Sequence, residues 1–389
     1  MRFEFQSLKN LRAHFLKACW RVRGIPAPRA ACHEKAPQLL VEEAVQQTFP
    51  RRTMLGHVDK VPKAVAEMFQ SGLISAEDRD FWDGQSTVTH PPGGLSFVDA
   101  GSVVGKRGIL ISPAAGVLDR LGGGPLASLL GEGPQPTHLP PPKKVGGDLL
   151  VLTRGIAQRN YFHWTFELLA QLRFLKRSGV HFDYVAVPKR HRFAKDSLEL
   201  FGVQPRKILR LDRYTHLAGD RLIVPSCSGR FPHPAGVAYL RETMQCQSWS
   251  RTGDLKRLRL YISRGRLTLR RVVNERELVT ALRPLGFQSV RLERLSVKQQ
   301  IQLFQRAEAV VGPHGAGFSN LAYCRPGTLA LEISATSRPR LYFYYLAATN
   351  KLRYAIYFAT PTNHPDDSSN ITVNVPDLMH HLSRLLETT

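Results

Sequence analysis

The most informative stretch of the sequence covers residues 309–320 and reads AVVGPHGAGFSN. It begins as an apolar strand, continues as a glycine-rich turn and then opens a helix. Glycines let backbone N–H groups approach a ligand closely, and a helix N-terminus favours an anion. Ligands of α/β sheets bind beyond the carboxyl ends of strands, where this turn lies. The stretch therefore predicts an anion-binding loop or, as the plainer alternative, a turn that only packs strand against helix.

Three residues around this turn could contact a ligand: two suit a phosphorylated ligand, and one suits a sugar. His314 can donate a hydrogen bond to a diphosphate oxygen, whereas the spacing differs from the G-x-G-x-x-G of dinucleotide-binding loops. Arg264 ends an earlier predicted strand, at a position where a guanidinium can clamp a diphosphate and stabilise it as a leaving group. Glu332 ends the following strand, and its carboxylate can accept from sugar hydroxyls or pair with one of the many arginines.

Working outward, strands and helices alternate from residue 147 onwards. A first series has strands at 148–153, 184–187, 208–211 and 221–224 with helices at 162–178 and 194–201. A second series has strands at 258–263, 287–292, 309–311 and 328–333. Its helices are 275–285, with Asn274 and Glu277 as a capping box, and one that Ser296 caps. Such alternation predicts parallel sheets covered on both faces, hence an α/β protein with two Rossmann-like domains facing a cleft.

In the first series, His163 and Glu167 stand four residues apart at the start of a predicted helix. They therefore share a face, and the pair can act as general base and orienter on an acceptor hydroxyl. Ordinary structural roles for both residues remain the alternative. Asp78-Arg79-Asp80 has the letters of a metal-binding D-x-D motif, but it lies in a polar helix start, so we predict no metal site.

The charge of the chain is strongly basic, with 54 Lys and Arg against 31 Asp and Glu and a net charge of +23. This surplus favours polyanionic partners such as anionic lipid headgroups, or it reflects general basicity. The five cysteines show no C-x-x-C spacing, which fits reduced thiols in a cytosol-facing protein. No segment is apolar enough to span a bilayer, although residues 1–24 form a candidate amphipathic helix for a membrane surface. We expect a cytoplasmic protein, peripheral on the inner face of the membrane at most.

Several motifs, taken in order, resemble glycosyltransferase family 61, which includes the extracellular O-linked N-acetylglucosamine transferase, plant xylan glycosyltransferases and bacterial members linked to surface polysaccharides. The resemblance covers about residues 148–334. Its motifs are Asn160-Tyr161-Phe162-His163-Trp164, Tyr261-Ile262-Ser263-Arg264, Asn274-Glu275, Phe304 with Ala307, Gly312-Pro313-His314-Gly315-Ala316-Gly317, Asn320 and Arg325-Pro326-Gly327.

The resemblance implies a GT-B fold, inversion at the anomeric carbon, no obligatory metal and no cofactor beyond a nucleotide-sugar co-substrate. It implies an acceptor side that His163 and Glu167 face. It implies donor-site roles for Arg264, Asn274, Glu275, His314, Gly315 and Asn320. To these we add Ala316 and Gly317 from the same loop and Glu332 from the end of the following strand.

We expect four segments: 1–94, basic and partly helical; 95–250, the acceptor-side domain; 251–375, the nucleotide-sugar-binding domain; and 376–389, a final helix. The predicted activity is transfer of a sugar, UDP-linked by expectation, to a glycan or lipid-linked glycan in bacterial capsular or surface polysaccharide synthesis. One alternative is a non-catalytic basic module that binds anionic glycan or nucleic acid. Another is a Rossmann-type enzyme that uses a different phosphorylated ligand.

Overall fold

A computed structural model describes residues 87–90, 93–118, 138–154, 160–189, 192–226, 231–244, 257–265, 267–336, 340–362 and 368–387, and three short strands before residue 49. The predicted amphipathic helix within residues 1–24 and the Asp78-Arg79-Asp80 sequence lie outside this part of the chain, as do four of the five cysteines. The fifth, Cys324, is buried.

The described strands and helices follow one another in this order. The strands are β1 (Ile25–Pro26), β2 (Gln38–Glu42), β3 (Val45–Thr48), β4 (Thr87–His90), β5 (Gly93–Asp99), β6 (Ser102–Val104), β7 (Ile109–Ser112), β8 (Gly116–Val117), β9 (His138–Leu139), β10 (Lys143–Val151), β11 (Tyr184–Pro188), β12 (Ile208–Leu211), β13 (His216–Pro225), β14 (Leu258–Ile262), β15 (Phe287–Val290), β16 (Ala307–Pro313), β17 (Leu329–Ser334), β18 (Arg353–Phe358), β19 (Thr360–Pro361) and β20 (Ile371–Thr372). The α-helices are α1 (Tyr161–His163), α2 (Leu172–Ser178), α3 (Arg192–Leu200), α4 (Pro234–Thr243), α5 (Glu275–Leu282), α6 (Val297–Gln305), α7 (Tyr342–Thr349) and α8 (Val375–Glu387).

The chain divides into two compact units, each with its own main sheet. Unit 1 contains residues 1–43 and 92–227, and unit 2 contains residues 44–91 and 228–389. Sequence reasoning placed domain boundaries after residues 94 and 250, whereas the units change over near 92 and 228. The second of these points lies just before α4, which therefore belongs to unit 2.

Unit 1 has a mixed sheet, so the prediction of a purely parallel one was wrong for this half. Strands β12, β11, β10 and β13 lie side by side and parallel, which is the third–second–first–fourth order of half a Rossmann sheet. Beyond β13, strands β5 and β6 pair with it antiparallel, and β7 and β8 continue in that sense. β5 and β6 form one nearly continuous run along β13: β5 pairs with residues 221–225 and β6 with residues 216–218, and only Ala100 and Gly101 interrupt the run.

Unit 2 has a five-stranded sheet, and its strand β16 leads into the glycine-rich turn of residues 312–317. Its strand order is β15-β14-β16-β17-β18, and every neighbouring pair is parallel. Ala309, Val310 and Val311 in β16 are fully buried, as expected for a parallel strand covered on both faces. Unit 2 is thus a Rossmann-like α/β unit, in agreement with the predicted class.

Helix α8 packs on the same core as α5, because Leu378, Leu382 and Leu385 join one buried cluster with Leu278 and Leu282. The final helix, predicted as a segment of its own, is therefore an integral part of unit 2. Helix α7 and strand β18 were not anticipated from the sequence. The polar hydroxyls of Tyr354 and Tyr357 in β18 do not suggest a buried strand, although both side chains are buried.

Two predicted helix caps had opposite outcomes. Ser296 accepts from the Gln299 backbone N–H, so the predicted cap is confirmed. The Gln299 side chain also accepts from the Ser296 backbone, which completes a capping box. The Asn274 cap was wrong. The side chain of Asn274 makes no cap hydrogen bond at α5, because it bonds instead to both backbone polar groups of Val373.

Candidate functional site

The strand order of unit 2 indicates where a ligand binds. In chain order the sheet runs second–first–third–fourth–fifth, so the direction of winding reverses between β14 and β16. In open α/β sheets the loops after the two strands at such a switch point diverge and leave a crevice at their carboxyl ends. Arg264 follows β14 and His314 follows β16, so both residues lie at this point. The structure therefore brings together two residues that are fifty positions apart in the sequence.

Arg264 is a cation held against backbone carbonyls. Its Nε donates to the Leu269 carbonyl at 2.9 Å, and its Nη1 lies 3.4 Å from the His314 carbonyl. Burial, together with the nearby charge of Arg270 and partly opposed by Glu293, lowers the pKa of Arg264 to about 10. Within the described part of the chain, no carboxylate forms an ion pair with this guanidinium. Its positive charge is thus available to an anion.

Gly315 leaves the space that Arg264 occupies. A Cβ at this position would lie 2.2 Å from Nη1 of Arg264. Gly312 and Gly317 serve the packing of the loop, since a Cβ would lie 3.0 Å from Ile262 at the first and 2.8 Å from Leu292 at the second. The glycines at 312, 315 and 317 therefore allow the β16 loop to lie close to the β14 end and to Arg264.

His314 is oriented by a buried carboxylate on the neighbouring strand. Its Nδ1 lies 2.5 Å from Oε1 of Glu332, which has no exposed side-chain surface. The other oxygen of Glu332 accepts a hydrogen bond from the hydroxyl of Tyr354 on β18. Burial, followed by the charge of Glu332, raises the pKa of Tyr354 well above its usual value, so the phenol stays a donor. The arrangement fixes the ring and leaves Nε2 as the nitrogen that can meet a ligand.

Glu332 has partners that neither predicted role, accepting from sugar hydroxyls or pairing with an arginine, included. Both of its carboxylate oxygens are engaged by protein groups, and the side chain is completely buried. Tyr354 was missed by sequence reasoning. No signal in the sequence marks it, because only the pairing of β17 with β18, which sets Glu332 beside Ile356, brings the two side chains close.

Three further predicted donor-site residues have structural partners within unit 2. Asn320 is fully buried, and its amide donates to Oε1 of Gln300 at 2.9 Å and to the Gly317 carbonyl at 3.1 Å. The amide of Asn274 is engaged by Val373 and Glu277. Glu275 accepts from the Tyr261 hydroxyl at 3.1 Å. These contacts give each side chain a structural partner, and direct contact with a donor stays a prediction for all three.

The loop after β16 continues into a 3-10 helix, Ala316–Tyr323. Ala316 is its first residue and Gly317 its second, so the predicted donor-site residues 314–317 are contiguous at the carboxyl end of β16. The helix predicted to follow the turn is thus a 3-10 helix and not a regular α-helix. The buried aromatic side chains of Phe318 and Phe343, whose ring centroids lie 5.4 Å apart, pack this short helix against α7.

The second predicted pair, His163 and Glu167, lies in unit 1. Nδ1 of His163 is 2.5 Å from Oε1 of Glu167, and the two side chains keep 17% and 15% of their surface exposed. Asn160 caps this helix by accepting from the Phe162 N–H at 2.9 Å. Glu167 can thus fix the imidazole through Nδ1, which leaves Nε2 for chemistry with an acceptor.

The helix that carries this pair differs from the uninterrupted helix predicted over 162–178. It begins as α1, passes through a π-helical turn at Trp164–Leu168 and a 3-10 turn at Leu169–Gln171, and ends as α2. The buried indole of Trp164 donates to the Ser197 hydroxyl on α3 at 2.9 Å. Single π-helical turns occur often at functional sites. Glu167 lies within this π-helical turn.

Much of this geometry lies in a segment that resembles a known protein family. Residues 161–331 match the family described as Glycosyltransferase 61. This segment of the chain is therefore similar to glycosyltransferase family 61. No curated protein matches the chain. The matched segment begins at α1 and ends within β17, so it includes His163, Arg264 and His314, while Glu332 and Tyr354 follow it.

The match supports glycosyltransferase activity, and an enzyme of that class acts on a sugar donor and a glycan acceptor. None of the described helices is both long and apolar enough to cross a membrane. The described residues also contain no group of three or more His, Cys, Asp or Glu side chains that could hold a metal ion.

Proposed function

We propose that this glycosyltransferase binds a nucleoside diphosphate sugar, UDP-linked by preference, at the β14/β16 switch point. The observation that carries the proposal is Arg264, a cation held at the carboxyl end of β14 with no described carboxylate paired to it. A guanidinium in this position complements a diphosphate and stabilises the charge that develops on it as the sugar leaves. His314, whose Nδ1 is held by Glu332, supplies a second donor through Nε2 in its imidazolium form. Asn320 and Glu332 support the loop in this proposal and do not contact the donor.

We propose a single displacement with inversion at the anomeric carbon and no metal. An acceptor hydroxyl oxygen attacks the anomeric carbon while the bond from that carbon to the diphosphate oxygen breaks. The electron pair of this bond leaves with the diphosphate, beside Arg264. His163, oriented by Glu167, takes the hydroxyl proton through Nε2. A GT-B arrangement of the two units, which the family resemblance implies, is part of the proposal.

The acceptor in this proposal is a hydroxyl of a glycan or lipid-linked glycan, in bacterial capsular or surface polysaccharide synthesis. The family resemblance supports this acceptor class. The excess of positive charge also suits a diphosphate-linked acceptor, since its phosphates are anionic.

Binding of nucleoside diphosphates tests the donor site. Titration calorimetry of the full chain with UDP, GDP, ADP and CDP, without divalent metal, should find one preferred nucleotide. Arg264→Ala should weaken that binding about 10- to 100-fold, because a hydrogen bond to a charged group contributes about 1.5–3 kcal/mol. Arg283→Ala is the matched control, since Arg283 is an exposed arginine on the turn before β15, at the opposite edge of the sheet. Equal affinities for wild type and Arg264→Ala would contradict the proposed site.

One observation, the net charge of +23, favours a second candidate, a non-catalytic module that binds anionic glycan or nucleic acid. Binding of this kind weakens steeply with salt because counterions are released. The alternative gains support if no nucleotide binds and polyanion binding, unaffected by Arg264→Ala, falls steeply as the salt concentration rises.

A further inference from the structure

The loop between β14 and α5 carries an unusual set of exposed side chains. Leu267, Leu269 and Val273 keep 46%, 51% and 60% of their surface exposed, and they are the large apolar residues so exposed within the described part of the chain. Single exposed apolar side chains are ordinary on a protein surface. Three of them within seven residues of one loop are a local concentration, and such concentrations mark surfaces that bind something.

The same loop is strongly basic. Residues 264–273 read RGRLTLRRVV and contain four arginines and no Asp or Glu. Arg271 is exposed beside the apolar side chains, and Arg270 is half-buried. The apolar residues and the cations therefore alternate within one short segment.

The backbone of residues 271–273 is fixed by a second segment of the chain. Arg271 N–H donates to Oδ1 of Asn370 at 2.8 Å, and its carbonyl accepts from Ile371 N–H at 2.8 Å. Val273 N–H donates to the Ile371 carbonyl at 2.8 Å. Val272, between these anchors, is buried at 4% exposure. The loop thus directs Val272 into the core while Val273 is left in solvent.

The combination of arginines and exposed apolar side chains limits which kind of partner this loop can bind. A nucleic acid or an anionic glycan would be bound by the arginines alone and would gain little from exposed leucines. An anionic bilayer offers both kinds of contact, because its headgroups attract arginine and its interfacial region takes up apolar side chains. Each basic residue near such a surface contributes about 1 kcal/mol.

We propose that residues 267–273, here called the membrane loop, dock this protein on an anionic bilayer surface. Leu267, Leu269 and Val273 enter the interfacial region while Arg271 and its basic neighbours lie among the headgroups. Arg264 immediately precedes this loop, so docking would hold the β14 end of unit 2 at the surface. The candidate helix within residues 1–24 is a separate possible contact, which the experiment has to distinguish.

Vesicle flotation of the full chain measures the docking directly. The vesicles contain phosphatidylcholine with or without about one-third phosphatidylglycerol, and the protein should float only with the anionic mixture. The triple variant Leu267→Ser, Leu269→Ser, Val273→Ser should lower the partition coefficient about 10- to 100-fold, because three apolar side chains no longer enter the interface. As these side chains are exposed, the variant should keep the thermal unfolding midpoint of the wild type.

A matched variant tests whether the effect belongs to the loop. Leu8→Ser, Leu11→Ser, Phe15→Ser removes three apolar side chains from the N-terminal segment and should leave most of the vesicle binding intact. Leu269→Trp provides a local signal, since its fluorescence should shift to the blue with anionic vesicles and stay unchanged with neutral ones.

Wild-type protein that fails to float, or a membrane-loop triple variant that floats like wild type, overturns the proposal. Self-association of the chain that the same triple variant abolishes, without vesicle binding, would assign the loop to a second copy instead. Because nucleotide titration is independent of vesicles, its outcome tests the donor site separately.

Discussion

Each unit contains a histidine–glutamate pair with the same contact, Nδ1 to Oε1 at 2.5 Å, yet the two pairs are built differently. His163 and Glu167 stand four residues apart near the start of one helix, and both keep some exposure. His314 and Glu332 come from neighbouring parallel strands, eighteen residues apart, and Glu332 is completely buried. The first pair is a local feature of a helix, and the second is a product of the sheet.

The difference teaches what each pair is suited to do. A partly exposed pair near a helix start can exchange a proton with an acceptor and with water, as a general base must. A pair whose carboxylate is buried and bound on both oxygens, by His314 and Tyr354, holds a fixed donor. Fixed donors aimed at developing charge are what leaving-group stabilisation requires. This difference supports the proposal that the first pair transfers a proton and that the second binds the diphosphate.

The largest expected effect separates these two assignments. His163→Ala should lower the turnover number about 100- to 10,000-fold, since general base catalysis contributes that much, and should leave nucleotide affinity unchanged. His314→Ala should instead weaken nucleotide binding about 10-fold or more. Steady-state kinetics with the preferred donor, together with calorimetric titration, measure both quantities. The reverse pattern, with His163→Ala losing nucleotide affinity and His314→Ala keeping it, would exchange the two roles.

A smaller difference is expected in stability. Glu332→Gln should lower the free energy of unfolding by about 1–3 kcal/mol, because a buried amide cannot satisfy both the imidazole and the phenol. Glu167→Gln should change it by about 1 kcal/mol or less, since partly exposed ion pairs contribute little. Urea unfolding followed by circular dichroism measures each value. Equal losses would mean that burial does not distinguish the pairs.

The smallest effect concerns Tyr354, which acts only through Glu332 and so is a positioning residue. Tyr354→Phe should lower the free energy of unfolding by about 1 kcal/mol, the net contribution of one hydrogen bond, and weaken nucleotide binding about fivefold. Tyr357→Phe is the matched control, because Tyr357 is a buried tyrosine on the same strand whose hydroxyl donates to Asp377 at 2.9 Å. It should lose similar stability and keep the wild-type nucleotide affinity. If both variants lose affinity alike, the effect reflects general loosening of β18.

Much of the site could be predicted because its signals are local. The apolar run before Gly312, the glycine spacing around His314 and the four-residue separation of His163 and Glu167 are periodicities and turn chemistry that neighbouring residues determine. The Ser296 cap is of the same kind and is confirmed. The Asn274 cap failed for the complementary reason, since Val373, ninety-nine residues away, competes for the same amide.

The sequence by itself determined the α/β class, the strand–turn–helix character of residues 309–320 and the family resemblance. Only the tertiary structure decided that Glu332 orients His314, that Tyr354 completes this group and that β5 and β6 run antiparallel to β13. These features depend on which strands become neighbours, and strand pairing is a non-local choice. A side chain at a strand end can meet a ligand or a neighbouring strand, and its own residues do not specify which. Long-range packing makes that choice, because buried polar groups must find partners wherever the sheet places them.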